Sequence, residues 1–403
     1  MSDSNPFSNM PIFGDIARML SNQGPVNWDV AGQLATWVAT EGQDEPNPDP
    51  LERIAFSELL RVAELHVGQF TGLPTAPAGG LLRVVTVTRR DWAARTLSET
   101  HEVLERLATA LSAVVPEAQA GAESGDTGHP SDRAGREAMA MMGDLGRMIS
   151  PVLLGVQAGS MMGHLARRAF GRYDLTIPRP LSDELLVVPA NLNVFIDEWS
   201  LPPDDFRLWV ALRDVGLHAV LSLPHVHRRL TDLLLEYVGA FHFDPHSLEA
   251  GLGQFDPTDP AGMSAMFSNP DSLMGLLVSP AQEGLLRRIE AVVLPVIGYV
   301  DHLLATLGPR LISSYAAISE AMTRRRVEES DGDRFVGRLL GLELGRSQYE
   351  RAHAFIAGVV NRSDAQTPGR LWAAAANLPT VAEIDAPGLW LARIDLPLAG
   401  PAG

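Results

Sequence analysis

Apolar residues recur at helical spacing along most of this chain. Val30, Leu34, Trp37 and Val38 share one face of Trp28–Thr40, and the same spacing marks an amphipathic helix over Leu51–Phe70. The pattern predicts further helices at Arg90–Val115, Arg136–Phe170, Leu192–Trp199, Pro202–Leu221, Pro224–Val238, Ala281–Leu307, Pro309–Val327, Arg334–Leu340, Gln348–Val360 and Thr367–Ala376, with a short one at Ile12–Leu20. Two stretches read as extended. Val84–Thr88 alternates weakly, and Leu185–Val188 is a short apolar run stopped by Pro189. The expected fold class is therefore mainly α, a multi-helix domain with one or two short β-strands.

Breakers set the expected organisation. Residues 1–25, rich in Ser, Asn, Pro and Gly, form a flexible N-terminal segment, and residues 26–115 an N-terminal helical part. Residues 116–135 form a disordered Gly/Ala/Ser/Asp loop, and residues 136–398 the larger helical part, so that 26–398 make one compact unit. Pro379 and Pro387 predict a tail that wraps the surface. Inside the helix expected at Arg136–Phe170, Gly155, Gly159 and Gly163 recur every fourth residue. Helical glycine costs about 1 kcal/mol relative to alanine, so such a row implies close approach of another backbone. That backbone belongs to the core of the same chain or to a second copy in a homodimer.

Composition narrows the function classes. The net charge of −17 over 403 residues opposes a phosphate backbone, so no nucleic-acid partner is expected. Every basic residue is arginine. No cysteine is present, which excludes disulfides, thiolate metal sites and cysteine nucleophiles. Met1–Met10 carries no signal-peptide pattern. The most membrane-like stretch, Met148–Ala166, is interrupted by Pro151, Gln157 and His164 and falls short of roughly 20 apolar residues. The expectation is a cytoplasmic protein without membrane insertion. No phosphate loop, nucleophile elbow or dinucleotide fingerprint appears, and Arg324–Arg326 reads as a solvated helix end.

Several blocks in order resemble one known family. They are Gly24–Asp29 (G-P-V-N-W-D), Leu185–Asn191 (L-L-V-V-P-A-N), Leu208–Leu230 with Trp209-Val210-Ala211-Leu212 and Pro224-His225-Val226, Gly298-Tyr299-Val300-Asp301, Glu320–Arg326, Leu340–Leu344 and Leu378–Trp390. Together the blocks span nearly the whole chain and resemble an actinobacterial family of zincin-like metallopeptidases, described as hydrolases, with a relative associated with deazaflavin-cofactor biosynthesis. The resemblance implies a zincin-like helical fold and a helix bearing H-E-x-x-H. At that spacing both imidazoles reach one zinc and the glutamate serves as base toward the metal-bound water. A third ligand would be a Glu just before Gly298-Tyr299-Val300-Asp301.

The carry-over fails at each position. Arg213 stands at the first histidine, Asp214 at the glutamate, Leu217 at the second histidine and Ile297 at the third ligand. A guanidinium and two branched alkyl groups offer zinc no lone pair. His218, one residue past Leu217, is turned about 100° around the helix. A displaced site from His218, His225 and His227 is the alternative source of metal ligands. An arginine on an apolar face either snorkels to solvent or pairs with a carboxylate, because an unpaired buried charge is costly. The stripe Glu290, Leu294, Ile297, Asp301 and Leu304 on the later helix predicts that Arg213 pairs with Asp301 or Glu290, filling the former metal site. The expected function is a non-catalytic pseudo-metallopeptidase without cofactor, in a binding or scaffold role for a protein partner. The alternatives are a metal-dependent hydrolase or peptidase with a displaced zinc site, and a metal-independent small-molecule binder or enzyme using the former cleft.

Overall fold

The computed structural model describes residues 24–77, 79–112, 150–241, 280–327, 337 and 344–396. The expectations for residues 1–23, the 116–135 loop, the helices at Ile12–Leu20 and Arg334–Leu340, and most of the Leu340–Leu344 block lie outside them. In chain order the elements are α1 (Trp28–Thr40), α2 (Pro50–Thr71), β1 (Arg83–Thr86), α3 (Arg89–Glu99), α4 (His101–Ser112), α5 (residues 150–166), β2 (Glu184–Val187), α6 (Pro189–Trp199), α7 (Pro203–Leu221), α8 (Pro224–Gly239), α9 (Pro280–Leu311), α10 (Tyr315–Val327), α11 (Arg346–Arg362), α12 (Val381–Ile384) and α13 (Pro387–Asp395). The fold is mainly α. Its strands form one parallel pair, with Arg83 opposite Glu184 and Thr86 opposite Val187. The chain sorts into two compact units interleaved in sequence, one within 1–44, 93–167 and 238–278, the other within 45–92, 168–237 and 279–403.

In the first unit, α1 begins where the Asn27 side chain accepts the Val30 amide at 3.1 Å, satisfying a free helical N–H. Asn27 is itself buried, and its amide donates to Pro151 O at 2.8 Å. α5 lies against α1 through the glycine row. A Cβ on Gly155 would strike Asn27 O, one on Gly159 would strike Ala31 O, and one on Gly163 would stand 2.5 Å from Val38 Cβ. The close approach that the row permits is thus made with a helix of the same chain.

In the second unit, α7 is the central helix, with both α2 and α9 packed on it. From Leu208 to Leu221 nearly every residue of α7 is buried, including Asp214 and His218. A helix apolar on all sides belongs in a core. Gly216 leaves room for Val300 and Leu303 of α9, whose methyls would sit 3.5–3.6 Å from an added Cβ. α9 is long and apolar enough to cross a membrane, and 72% of its most apolar stretch is buried inside the protein.

Three helix boundaries differ from the sequence expectation. Arg90–Val115 is two helices with a turn at Thr100, whose hydroxyl donates to Thr96 O at 2.8 Å. α9 runs through Pro309 and ends only at Leu311, because a proline in the last turn removes one hydrogen bond while Ile312 N still reaches Gly308 O. The next helix then starts where Asp205 accepts the Ser314 amide and both the Ser313 and Ser314 hydroxyls. Thr367–Ala376 is two short 3₁₀ turns, Thr367–Trp372 and Ala375–Asn377.

The glycine row yields a test. Alanine on an exposed helix face would stabilise by about 1 kcal/mol over glycine. At Gly159 the added methyl meets Ala31 O and Leu34 Cβ, so Gly159→Ala is expected to destabilise by about 1–3 kcal/mol in urea unfolding. A neutral or stabilising result would show that α5 and α1 are less closely packed.

Candidate functional site

Arg213, Asp214 and Leu217 occupy the middle of α7, and the segment Phe170–Asp174 folds over it. That segment is fixed by its own backbone. The amides of Phe170 and Gly171 donate to Asp174 Oδ2 at 2.6 and 2.7 Å, and Trp92 Nε1 donates to Gly171 O at 2.8 Å. Gly171 lies so close to Asp214 Oδ2 that no side chain fits there. Glycine is needed for this approach rather than for an unusual φ.

This arrangement supplies the charge partners of Arg213. Its Nη1 stands 3.0 Å from Asp214 Oδ1 and 3.6 Å from Asp174 Oδ1, and its Nη2 donates to Tyr173 O at 3.3 Å. The Arg213 side chain is 14% exposed and that of Asp214 only 3%. Burial alone would weaken the Arg213 charge, but the Asp174 and Asp214 carboxylates outweigh it and raise its pKa.

The expected pairing of Arg213 with Asp301 or Glu290 is not the one the fold makes. Asp301 is held by both nitrogens of the Arg326 fork, at 2.9 and 2.7 Å, and Glu290 by Arg351 Nη1 at 2.9 Å. A second guanidinium already neutralises Asp301, and its field opposes that of Arg213. Of Arg324–Arg326, Arg324 is exposed and paired with Glu320, as a solvated helix end would be, whereas Arg325 and Arg326 depart from that expectation. Arg325 lies over the Phe170 ring, 3.8 Å from its centroid, and donates to Arg168 O. Arg326 lies 4.5 Å from the Tyr349 centroid.

Asp214 and His218 are one helical turn apart and share the face toward Phe170–Asp174. The Tyr173 hydroxyl and His218 Nδ1 are hydrogen-bonded at 2.7 Å. Burial, together with the positive charge of Arg172, pulls the His218 pKa down to about 4, so its ring is neutral near pH 7. Burial pushes the Asp214 carboxyl the other way, up to about 7. Arg213 opposes this rise, and the nearby Asp174 charge adds to it. Desolvation therefore outweighs the adjacent guanidinium. Arg172 and Arg179, both buried, stitch the surrounding loop. Arg172 donates to Glu184 O and Pro180 O, while Arg179 donates to Arg172 O and its own carbonyl meets His227 Nε2 at 3.0 Å. Tyr173, Asp174, Arg172 and Arg179 did not stand out from the sequence. The one signal was the polar run Gly171-Arg172-Tyr173-Asp174 between an apolar helix and a strand.

These residues do not fit zinc. Leu217 and Ile297, both buried, carry no donor atom, and Arg213 is committed to two carboxylates. His227 faces the Arg179 carbonyl, which separates it in role from His218 on Tyr173. Among the described residues no three His, Asp or Glu side chains are grouped so that they could hold a metal ion. Zinc sites draw at least three protein ligands.

Two expectations follow from this geometry. Arg213→Leu leaves Asp174 and Asp214 without their counter-charge and should cost about 3 kcal/mol in denaturant unfolding. A cost near zero would mean the pairs contribute nothing. The second concerns pH. An unfolded aspartate releases its proton near pH 4, whereas folded Asp214 holds it to about 7. The raised value means Asp214 favours folding most below about pH 4, with that contribution lost as pH rises through about 7. Asp214→Asn should therefore lose most stability, relative to the parent, near pH 4.5 and least near pH 7.5. A gap independent of pH would show that Asp214 titrates normally.

With the site geometry established, comparison with known proteins gives its setting. No curated protein matches the chain. Among solved structures, a crystal structure described as a "putative hydrolase with a novel fold" from Chloroflexus aurantiacus is 24% identical, covering 92% of this chain and 99% of that one with a TM-score of 0.62. At that identity the likeness speaks for the fold. A family profile described as zincin-like metallopeptidase matches residues 26–391, which include α7, β2 and α9. The chain belongs to the zincin-like metallopeptidase family.

Proposed function

We propose that this chain is a non-catalytic member of its family that keeps the zincin-like scaffold for a binding role toward a protein partner. The observation that carries the reading is Arg213. At the first ligand position, a cation clamped by Asp174 and Asp214 replaces a metal ligand with an internal ion pair. Leu217 and Ile297 complete the exchange of donors for packing. Asp214, the counterpart of the catalytic carboxylate, faces Gly171 and Arg213 rather than an open cleft.

A second reading keeps hydrolase chemistry at a displaced metal site. It is favoured by Asp214 Oδ2, His218 Nε2 and His225 Nε2, buried atoms without a hydrogen-bond partner. Against it, no three such side chains among the described residues are grouped so that they could hold a metal ion.

Elemental analysis of protein purified without a histidine tag and dialysed separates the two. The expected result is sub-stoichiometric zinc and no chelator-sensitive cleavage of a fluorogenic peptide library. About one zinc per chain, lost in His218→Ala, would overturn the non-catalytic reading.

A further inference from the structure

Away from the degenerate motif, the second unit carries a pocket of about 420 Å³ between α2, α9 and residues 365–366. Its size falls within the range typical of small-molecule sites. Phe70 and Tyr299 form its aromatic wall, with ring centroids 6.1 Å apart, and Trp372 supports Tyr299 from behind at 5.5 Å. Tyr299, only 2% exposed overall, lines the pocket, and no hydrogen bond joins its hydroxyl to another described residue. A hydroxyl at a pocket wall with no bond inside the protein can donate to a ligand that fills the pocket. Burial also raises the Tyr299 pKa, so the hydroxyl stays a donor at neutral pH.

The charge of the pocket runs against that of the protein. Arg310 and His66 line it, and no aspartate or glutamate does, in a chain of net charge −17. Arg310 forms no ion pair with any described carboxylate, whereas other arginines around α9 (Arg326 and Arg351) are paired. Its planar fork matches a carboxylate with two parallel hydrogen bonds. Tyr299 and Arg310 are eleven residues apart on α9, about 16 Å along a helix axis, so one ligand reaching both must be elongated.

We infer that this pocket binds an elongated, flat aromatic monocarboxylate. Its carboxylate meets Arg310, its rings lie against Phe70 and Tyr299, and a hydrogen-bond acceptor at its far end takes the Tyr299 hydroxyl. Gln69 and Gln366 line the pocket as neutral donors and acceptors. The site is separate from the degenerate motif, so zinc analysis does not bear on it.

The probe is 4′-hydroxybiphenyl-4-carboxylate, followed by calorimetry and ligand-observed NMR on the full chain. Biphenyl-4-carboxylate lacks the far acceptor, and the 4-carboxamide of the hydroxylated compound lacks the charge. The hydroxylated carboxylate should bind saturably, and the amide about tenfold more weakly or not at all. Arg310→Ala, an exposed position, should weaken the carboxylate by about tenfold without changing the melting temperature. Tyr299→Phe should weaken the hydroxylated probe and leave biphenyl-4-carboxylate unaffected. No binding by either carboxylate, equal affinity for acid and amide, or indifference to Arg310→Ala would overturn the proposal. The acid-against-amide comparison on the unmodified protein decides it even if a variant misfolds.

Discussion

A charged pair on a buried helix is the constraint around which the second unit is arranged. α7 is packed on nearly every side, yet it carries Arg213 and Asp214 at its middle. Charges in such a place must be met by partners of fixed geometry, since desolvation costs several kcal/mol per ion. The segment Phe170–Asp174 supplies them. Its amides turn Asp174 toward Arg213, and its glycine lets the backbone settle against Asp214. The same segment places Tyr173 on His218 and bridges Gly171 to Val187 of the parallel strand pair. One requirement, the neutralisation of a buried guanidinium, thus joins helix, loop and strand.

The use of arginine as the sole cationic residue suits this scheme. A planar fork can bind a carboxylate with one face of its plane still free to lie on an aromatic ring. Arg326 does both, gripping Asp301 and covering Tyr349. Arg351 joins Glu290 to Asp385 and so ties α9 to the turn before α13. Once these pairs form, the carboxylates of α9 are no longer available to α7. Around Arg213 each charged side chain is met by a partner, and Leu217 and Ile297 are packed.

Much of the fold was legible in the sequence because helical periodicity is a local property. Trp28–Thr40 has the boundaries that its apolar spacing implies, and Pro50 and Pro203 open helices as proline in a first turn should. The weakly alternating Val84–Thr88 and the run Leu185–Val188 became the two paired strands, Arg83–Thr86 and Glu184–Val187, each starting one residue early and the first ending two residues early. That Arg213, Leu217 and Ile297 offer zinc no donor was equally readable, since it depends on which atoms those side chains possess.

Tertiary structure decided what depends on contacts distant in sequence. Arg213 had to find a carboxylate, but burial and periodicity alone pointed to Asp301 or Glu290 on the facing helix. The partner proved to be Asp174, thirty-nine residues upstream in a loop with no periodic signal, beside its own neighbour Asp214. Helix turns also resisted local reading. Pro309 did not end α9, because a helix ends where its free carbonyls and the next helix's free amides are satisfied, and Asp205 performs that task from α7. The sequence by itself determined which residues could form helices and which could never bind a metal. Only the folded chain decided which charges meet, because an ion pair is chosen by the loop that brings a carboxylate within reach.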